Sequence, residues 1–404
     1  MDLKSGYPFW AVRNGLMTAF PKLQQDVKCD VLIVGAGITG ALIANAMTSA
    51  GLKVCVVDKR DVAWGSTSAS TALLQYEIDT EMQDLRERYG DADAVLAYRA
   101  CAAAIGKLQK LAGSLGGVDF QPMKSLYYAS HWYHRQRLVD EGELRRQNGF
   151  KVTTLDRETL KACYGITAST ALLSEVGAEM DPYQMVHKLL RRVRRAGGQV
   201  HDHTGIAEFK TRRGGVVATT GEGCRIDARY LVMAAGYENE RHLQQKVARN
   251  RSSYAYITDA LTGSLGGLDD TLVWESARPY IYMRRTGDNR VLIGGEDDDI
   301  DVPMRRDLLV LSKAKTLQRK AQKLLSNLDL TPAFAWAGTF AETEDGLPFF
   351  GAHTQHGPRV LFAMAYGGNG ITYSQIGSEI LTATVQGKSH ACSKLFSFER
   401  LKRI

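Results

Sequence analysis

Asp30-Val-Leu-Ile-Val-Gly-Ala-Gly-Ile-Thr-Gly40 is the stretch that most restricts what this chain can fold into. A continuous apolar run ending in glycine predicts a strand buried on both faces, as in a parallel sheet. Helical spacing follows over Ile38 to Ser49, Gly51 stops it, and Lys53-Val-Cys-Val-Val-Asp58 predicts a second buried strand. The three glycines at the joint have separate duties. Gly35 permits the tight turn, Gly37 lets a pyrophosphate approach the backbone, and Gly40 lets helix and strand pack closely. Phosphates would sit on the N–H groups around Ile38 and Thr39, at the positive end of the helix. Asp58 stands about twenty residues on, where a carboxylate takes ribose hydroxyls and disfavours a 2′-phosphate. The unit predicts a dinucleotide-binding α/β fold in which NADP is disfavoured.

Two further features bear on which dinucleotide. Gly65-Ser66-Thr67-Ser68-Ala69-Ser70-Thr71 is a dense cluster of small hydroxyl residues directly after the second strand. It suits the phosphates and ribityl chain of a bulkier cofactor, although an exposed loop has the same composition. Gly367-Gly368-Asn369-Gly370 precedes the apolar helix Ile371 to Val385 and offers a second helix N-terminus without side-chain bulk. Aimed at a flavin ring, its N–H groups would stabilise charge at N1 and O2, and Ile371 and Thr372 would sit beside it. A plain helix cap is the competing reading.

At 404 residues the chain exceeds what one core supports, so two substructures are expected. The net charge of +7 is spread over scattered arginine pairs rather than a run, which argues against nucleic acid. Six cysteines form no CxxC pair, which disfavours a disulfide framework and cysteine-ligated metal. The pair His201 and His203 lacks an apparent third ligand, so no metal is expected. No apolar stretch approaches the ~20 residues of a membrane span, and no secretory signal opens the chain. A cytoplasmic protein without integral membrane contact is the expectation, with a homo-oligomer left open.

The chain resembles the D-amino-acid oxidase and glycine oxidase superfamily of FAD-dependent oxidoreductases, which also includes γ-glutamylputrescine oxidases. The matching pieces are Gly35–Gly40 with Asp58, the Gly65–Thr71 loop, Leu231-Val-Met-Ala-Ala235-Gly236, Gly338-Thr-Phe-Ala-Glu-Thr-Glu-Asp-Gly-Leu-Pro348 and Tyr366–Thr372. They keep the family's order from about residue 28 onward. The resemblance implies a discontinuous Rossmann-like FAD domain (29–80, 151–245 and 335–404) after an extension (1–28). It also implies a substrate domain with a mixed, antiparallel-rich sheet (81–150 and 246–334). Lys59, Ile206, Ala235, Gly236 and Gly338 join the cofactor residues on this basis. The implied reaction is hydride transfer from a carbon bearing nitrogen onto flavin N5, followed by imine hydrolysis. Oxygen or another acceptor then reoxidises the flavin.

The departures from the family are informative. Two family arginines that grip a substrate carboxylate correspond to Phe340 and Gly368. Arg284 or Arg285 is a candidate replacement. Phe340, Tyr280, Tyr282 and Tyr366 would otherwise line an aromatic cavity, with Gln75, Tyr76 and Glu342 beside them; no general base is nominated. Some relatives attach flavin through a cysteine near position 338, and glycine stands there, so non-covalent FAD is expected. The alternatives are a hydroxy-acid or polyol dehydrogenase, or a non-catalytic flavin-binding subunit or sensor.

Overall fold

The computed structural model describes residues 2–300, 302–364 and 366–402. Ala365, the end of the apolar stretch 360–365, lies outside them. Two sheets carry the fold. The first has eight strands, and its centre is five parallel strands in the order Val360–Met364, Arg225–Met233, Val27–Val34, Val54–Val57 and Gln199–His201. Phe349–Ala352 adds an antiparallel edge, and the hairpin of Ile206–Arg212 with Gly215–Thr220 pairs with the first half of Arg225–Met233. Both faces of the central strands are buried, as their apolar runs require. Val31, Ile33, Val54 and Val56 face a core shared with the helices Ile38–Ser49, Pro182–Arg195 and Gly370–Val385. Leu32, Cys55 and Val57 face the other core, with Ala218, Ile226 and Phe362.

The second sheet has nine strands. Its order is Pro332–Glu342, Arg249–Thr258, Val291–Asp298, Ile281–Arg285, Thr271–Glu275, Gln121–Tyr128, Thr170–Glu179 and Leu73–Gln75, with Val152–Asp156 also on Thr170–Glu179. All pairings are antiparallel except Thr271–Glu275 with Gln121–Tyr128. Helix Pro303–Leu324 covers the outer face through Val310, Ala314, Leu317 and Ala321. The expected α/β class with a second mixed sheet is what the chain adopts.

Sheet membership departs from the expected partition at four strands. Leu73–Gln75, Val152–Asp156, Thr170–Glu179 and all of Pro332–Glu342 after its first three residues fall in the expected cofactor segments, and all four strands pair in the nine-stranded sheet. Their partners lie far off in sequence, as in Leu73 with Glu179, so local pattern carries no trace of the pairing. The expected N-terminal extension is also integrated. Leu3 accepts from Thr339 N–H and Ser5 N–H donates to Ala337, which tacks the chain start onto the edge of strand Pro332–Glu342. Among the described residues no helix is long and apolar enough to cross a membrane.

Candidate active site

The carboxyl ends of the parallel strands converge on one cavity of about 420 Å³ that extends beneath the nine-stranded sheet. This is where open parallel sheets bind ligands, at the point where successive crossovers diverge. Strand Val27–Val34 delivers Gly35 and Gly37, Val54–Val57 delivers Asp58, and Arg225–Met233 delivers Ala235 and Gly236. Gly35 has φ +113°, and a Cβ on it would lie 2.3 Å from the Ala234 carbonyl oxygen, so only glycine fits. Gly37 is the N-cap of helix Ile38–Ser49 and contributes no capping side chain. The first turn therefore presents its N–H groups at the cavity wall, with Ile38 N–H bonded to Thr67 Oγ1 at 3.0 Å.

Asp58 lines the cavity, and its two oxygens accept the N–H groups of Ala36 (2.7 Å) and Arg60 (2.9 Å). Burial raises its carboxyl, and those two N–H bonds oppose the rise. Each oxygen retains a lone pair for a hydroxyl donor. Beside it, Lys59 and Arg60 converge on buried Glu238 at 2.8 and 3.2 Å. Burial would push the Glu238 carboxyl up, but these two cations hold it down at about 2.

The hydroxyl loop is held by indoles. Trp10 Nε1 donates to the Ser70 carbonyl at 2.6 Å, and Trp336 Nε1 to the Ala69 carbonyl at 2.9 Å. Gly65, Ser66, Thr67, Ser70 and Thr71 all line the cavity. From the other end of the chain, Asn369 Nδ2 donates to the carbonyls of Gln75 (3.0 Å) and Glu77 (2.8 Å). This fixes the start of helix Gly370–Val385. That helix packs against Ile38–Ser49, and Thr39 and Ser374 share a hydrogen bond of 2.7 Å between them. Two helix N-termini more than three hundred residues apart thus border one space. Ile206, Gly338, Gly367, Gly368, Ile371 and Thr372 complete its wall. Gly40 does not line it; a Cβ there would lie 1.8 Å from the Gly35 carbonyl oxygen, so its duty is packing.

Gln75, Tyr280, Tyr282 and Phe340 line the cavity at the nine-stranded sheet, and Tyr366 lines it beside Tyr237, with 5.4 Å between the ring centres. Burial raises the phenols of Tyr280 and Tyr282, the latter to about 12, so both stay neutral. Three expectations are corrected. Tyr76 points away from the cavity into the core, stacked on Phe150 at 5.3 Å, because successive residues of an extended chain face opposite ways. Glu342 is held outside by Arg251 on the neighbouring strand at 2.7 Å. Arg284 is buried against Glu179 and the Thr71 carbonyl, and Arg285 pairs with Asp269 at 2.9 Å, so neither replaces a lost arginine. His201, at the end of its strand, contacts the Pro21 carbonyl, and His203 turns to Asp61.

Several wall residues carried no sequence signal. Leu3 reaches the cavity from the chain start, and Trp274, Ser253 and Tyr254 come from the second sheet. Asp79 and Glu238 also line it, and neither belongs to a recognisable motif.

A DAO family model, described as FAD dependent oxidoreductase, matches residues 30–384. The chain belongs to the DAO family of FAD-dependent oxidoreductases. It is therefore an FAD-dependent oxidoreductase, an enzyme whose cofactor is FAD. It is 23% identical to glycine oxidase of Bacillus licheniformis over 360 residues, covering 89% of this chain and 93% of that one. It is 21% identical to γ-glutamylputrescine oxidoreductase of Escherichia coli (strain K12), covering 94% and 88%. The crystal structure of glycine oxidase from Geobacillus kaustophilus superposes with a TM-score of 0.78 at 18% identity, covering 92% of this chain and 98% of that one. The bare helix N-termini and the glycine cradle fit a dinucleotide with a flavin.

Proposed function

We propose that this protein oxidises a C–N bond of an amine or amino acid, with release of an imine that water then hydrolyses. The observation that carries the reading is the chemistry of the sheet end of the cavity. A hydroxyl substrate must lose its O–H proton during oxidation, which calls for a base within hydrogen-bond reach of that hydroxyl. Asp297, a carboxyl raised by burial at this end, lies behind Ser253 and does not line the cavity. The cavity's one histidine among the described residues, His242, contacts Phe209 on the cofactor sheet instead. The phenols at the sheet end stay protonated. An amine needs no such base, because it can enter as the neutral species.

Bound FAD supplies the hydride acceptor and passes two electrons to oxygen or another acceptor. The residues supply position and dryness. Gly35, Gly37, Ile38 and Thr39 hold the pyrophosphate, and Asp58 the adenosine ribose. Ser66, Thr67, Ser70 and Thr71 flank the ribityl chain. The N–H groups of the Gly367–Thr372 helix end would stabilise the negative charge that reduction puts on the flavin. Tyr280, Tyr282, Phe340 and Trp274 exclude water and orient the substrate C–H. The C–H loses two electrons with its proton, the nitrogen lone pair forms the C=N bond, and water adds to that carbon after release. No cysteine lines the cavity among the described residues, so no cysteinyl link to the flavin is available there.

An anaerobic bleaching screen of the yellow protein tests this. Amines or amino acids should bleach the visible flavin bands, and hydroxy acids should not. Bleaching by hydroxy acids or polyols alone overturns the reading. Peroxide formed on readmitting air identifies oxygen as the acceptor.

A further inference from the structure

The acids at the sheet end of the cavity outnumber the cations that face them: Asp79 feels the rim Arg278, and Glu77 has Arg145, itself shared with Glu141. Asp79 lines it, and its Oδ2 accepts the Gly368 N–H at 2.8 Å, just before helix Gly370–Val385. A Cβ at Gly368 would stand 3.0 and 3.1 Å from the two Asp79 oxygens. The carboxylate therefore fills the room that a side chain at 368 would need. Asp297, on strand Val291–Asp298, lies behind cavity-lining Ser253, and its buried Oδ1 accepts no hydrogen bond. The buried acid Glu77, also in the wall, has Arg145 at 3.8 Å behind it, and Arg145 is shared with Glu141.

The nearby cations are committed elsewhere. Arg251 holds Glu342 and Asp299, and Arg284 and Arg285 face Glu179 and Asp269. Arg278 is exposed at the rim. Its guanidinium lies 4.6 Å from the centre of the Tyr280 ring, and it donates to the Asp79 backbone carbonyl at 3.2 Å, not to the carboxylate. The ring faces of Tyr280 and Tyr282 complete a wall that attracts cations. A substrate carboxylate brought to this end would meet Asp79 as a like charge.

We infer that the group recognised alongside the reacting C–N bond is a cation, an ammonium, amidinium or guanidinium, held by Asp79 against the tyrosine faces. This rests on the C–N reading for the reaction but not for the binding. The test uses the FAD-loaded protein and two probes that are not oxidised, benzamidinium and benzoate, each titrated by its perturbation of the flavin spectrum. Benzamidinium should bind at least about tenfold tighter than benzoate, the scale of an ion pair plus a cation–π contact. Asp79→Asn keeps an oxygen for the Gly368 N–H and should weaken benzamidinium about tenfold. Asp297→Asn, remote from that turn, should weaken it severalfold and serves if Asp79→Asn loses flavin. Absent benzamidinium binding, benzoate binding as tightly, or Asp79→Asn leaving benzamidinium within twofold overturns the inference. So does loss of benzoate binding in Arg278→Gln, which would make the rim arginine an anion anchor. The two readings fail separately. If no amine bleaches the flavin yet Asp79 still governs benzamidinium, only the C–N reading falls. If α-amino acids bleach it far faster than diamines, only the cation falls.

Discussion

Replacing Gly40 or Gly37 by alanine separates the two jobs of the glycine fingerprint. At Gly40 the new methyl would lie 1.8 Å from the Gly35 carbonyl oxygen and 3.0 Å from its carbon. Ordinary contact begins at 3.4 Å, so helix Ile38–Ser49 must retreat from the strand end by roughly 1.5 Å. The obstacle is backbone, which places the cost at the upper end of overpacking, about 3 kcal/mol. With an unfolding entropy of about 2.1 cal/mol/K per residue, this lowers the melting temperature of the apoprotein by roughly 3–4 °C. Gly37 has φ −80°, open to any residue. Its methyl would meet Thr67 Oγ1 at 3.0 Å, the acceptor of the Ile38 N–H. The apoprotein should lose about 1 kcal/mol or less, the value of one weakened hydrogen bond. The methyl nonetheless stands where the pyrophosphate must approach, so FAD affinity should fall by about 2 kcal/mol, roughly 30-fold. FAD titration of the apoprotein by flavin fluorescence, beside a melting curve, reads both quantities. An FAD affinity for Gly37→Ala within threefold of the parent refutes the placement. A Gly40→Ala apoprotein that melts with the parent refutes the packing argument.

Arg400→Met should cost about 3–5 kcal/mol in urea unfolding, because it strands a buried carboxylate. Arg400 Nε donates to Asp345 at 2.7 Å, and its other nitrogens to the carbonyls of Leu347, Pro348 and Leu395; an unchanged midpoint contradicts this. Glu238 has a carboxyl held at about 2 when folded. It contributes stability that is present above its unfolded pKa and lost as pH falls from about 5 toward 2. Glu238→Gln should flatten the acid limb of the stability curve by about 1–3 kcal/mol, and superimposable curves argue against it. Burial raises the Asp297 carboxyl to about 7, reinforced by Asp79 and Glu342 and opposed by Ser253 and Arg251, with Tyr280 and Tyr282 neutral nearby. Benzamidinium stays charged throughout, so its affinity should rise about two- to fivefold as pH passes upward through 7. That rise should vanish in Asp297→Asn; a profile the variant leaves intact excludes Asp297 as the source. Phe340→Arg should favour benzoate over benzamidinium, and an unchanged preference places the selecting charge elsewhere.

The parts of this fold that local pattern reveals are those whose cause is local. The buried strand, glycine joint and helix from Val27 to Ser49 are such a case, since backbone sterics and periodicity act within a few residues. The turn Thr286–Asn289 is another: Asn289 has φ +63°, and Thr286 N–H bonds to the Arg290 carbonyl to join two paired strands. Tyr76 shows the limit. Gln75 and Tyr76 sit side by side, and only the facing of the chain decides which one enters the cavity. Arg284 shows another limit, because its partner Glu179 lies on a strand whose sheet was not legible. Asp79 is the extreme case. Its meaning comes from an N–H 289 residues away.

That distance also explains why the cofactor space and the substrate space cannot be independent modules. Strand Leu73–Gln75 leaves the hydroxyl loop and enters the nine-stranded sheet, and its Gln75 carbonyl accepts from Asn369 at the start of the final helix. Strand Pro332–Glu342 runs in the same sheet, carries Gly338 and Phe340 into the cavity wall, and turns through Asp345 into the edge strand of the other sheet. Each wall of the cavity is therefore covalently continuous with both sheets. The Asp345–Arg400 clamp holds that turn, and Asn369 holds the facing one. A shift of either sheet relative to the other must move Phe340 and Asp79 against the helix end at Gly368. The geometry that selects the substrate and the geometry that holds the flavin are set by the same few hydrogen bonds.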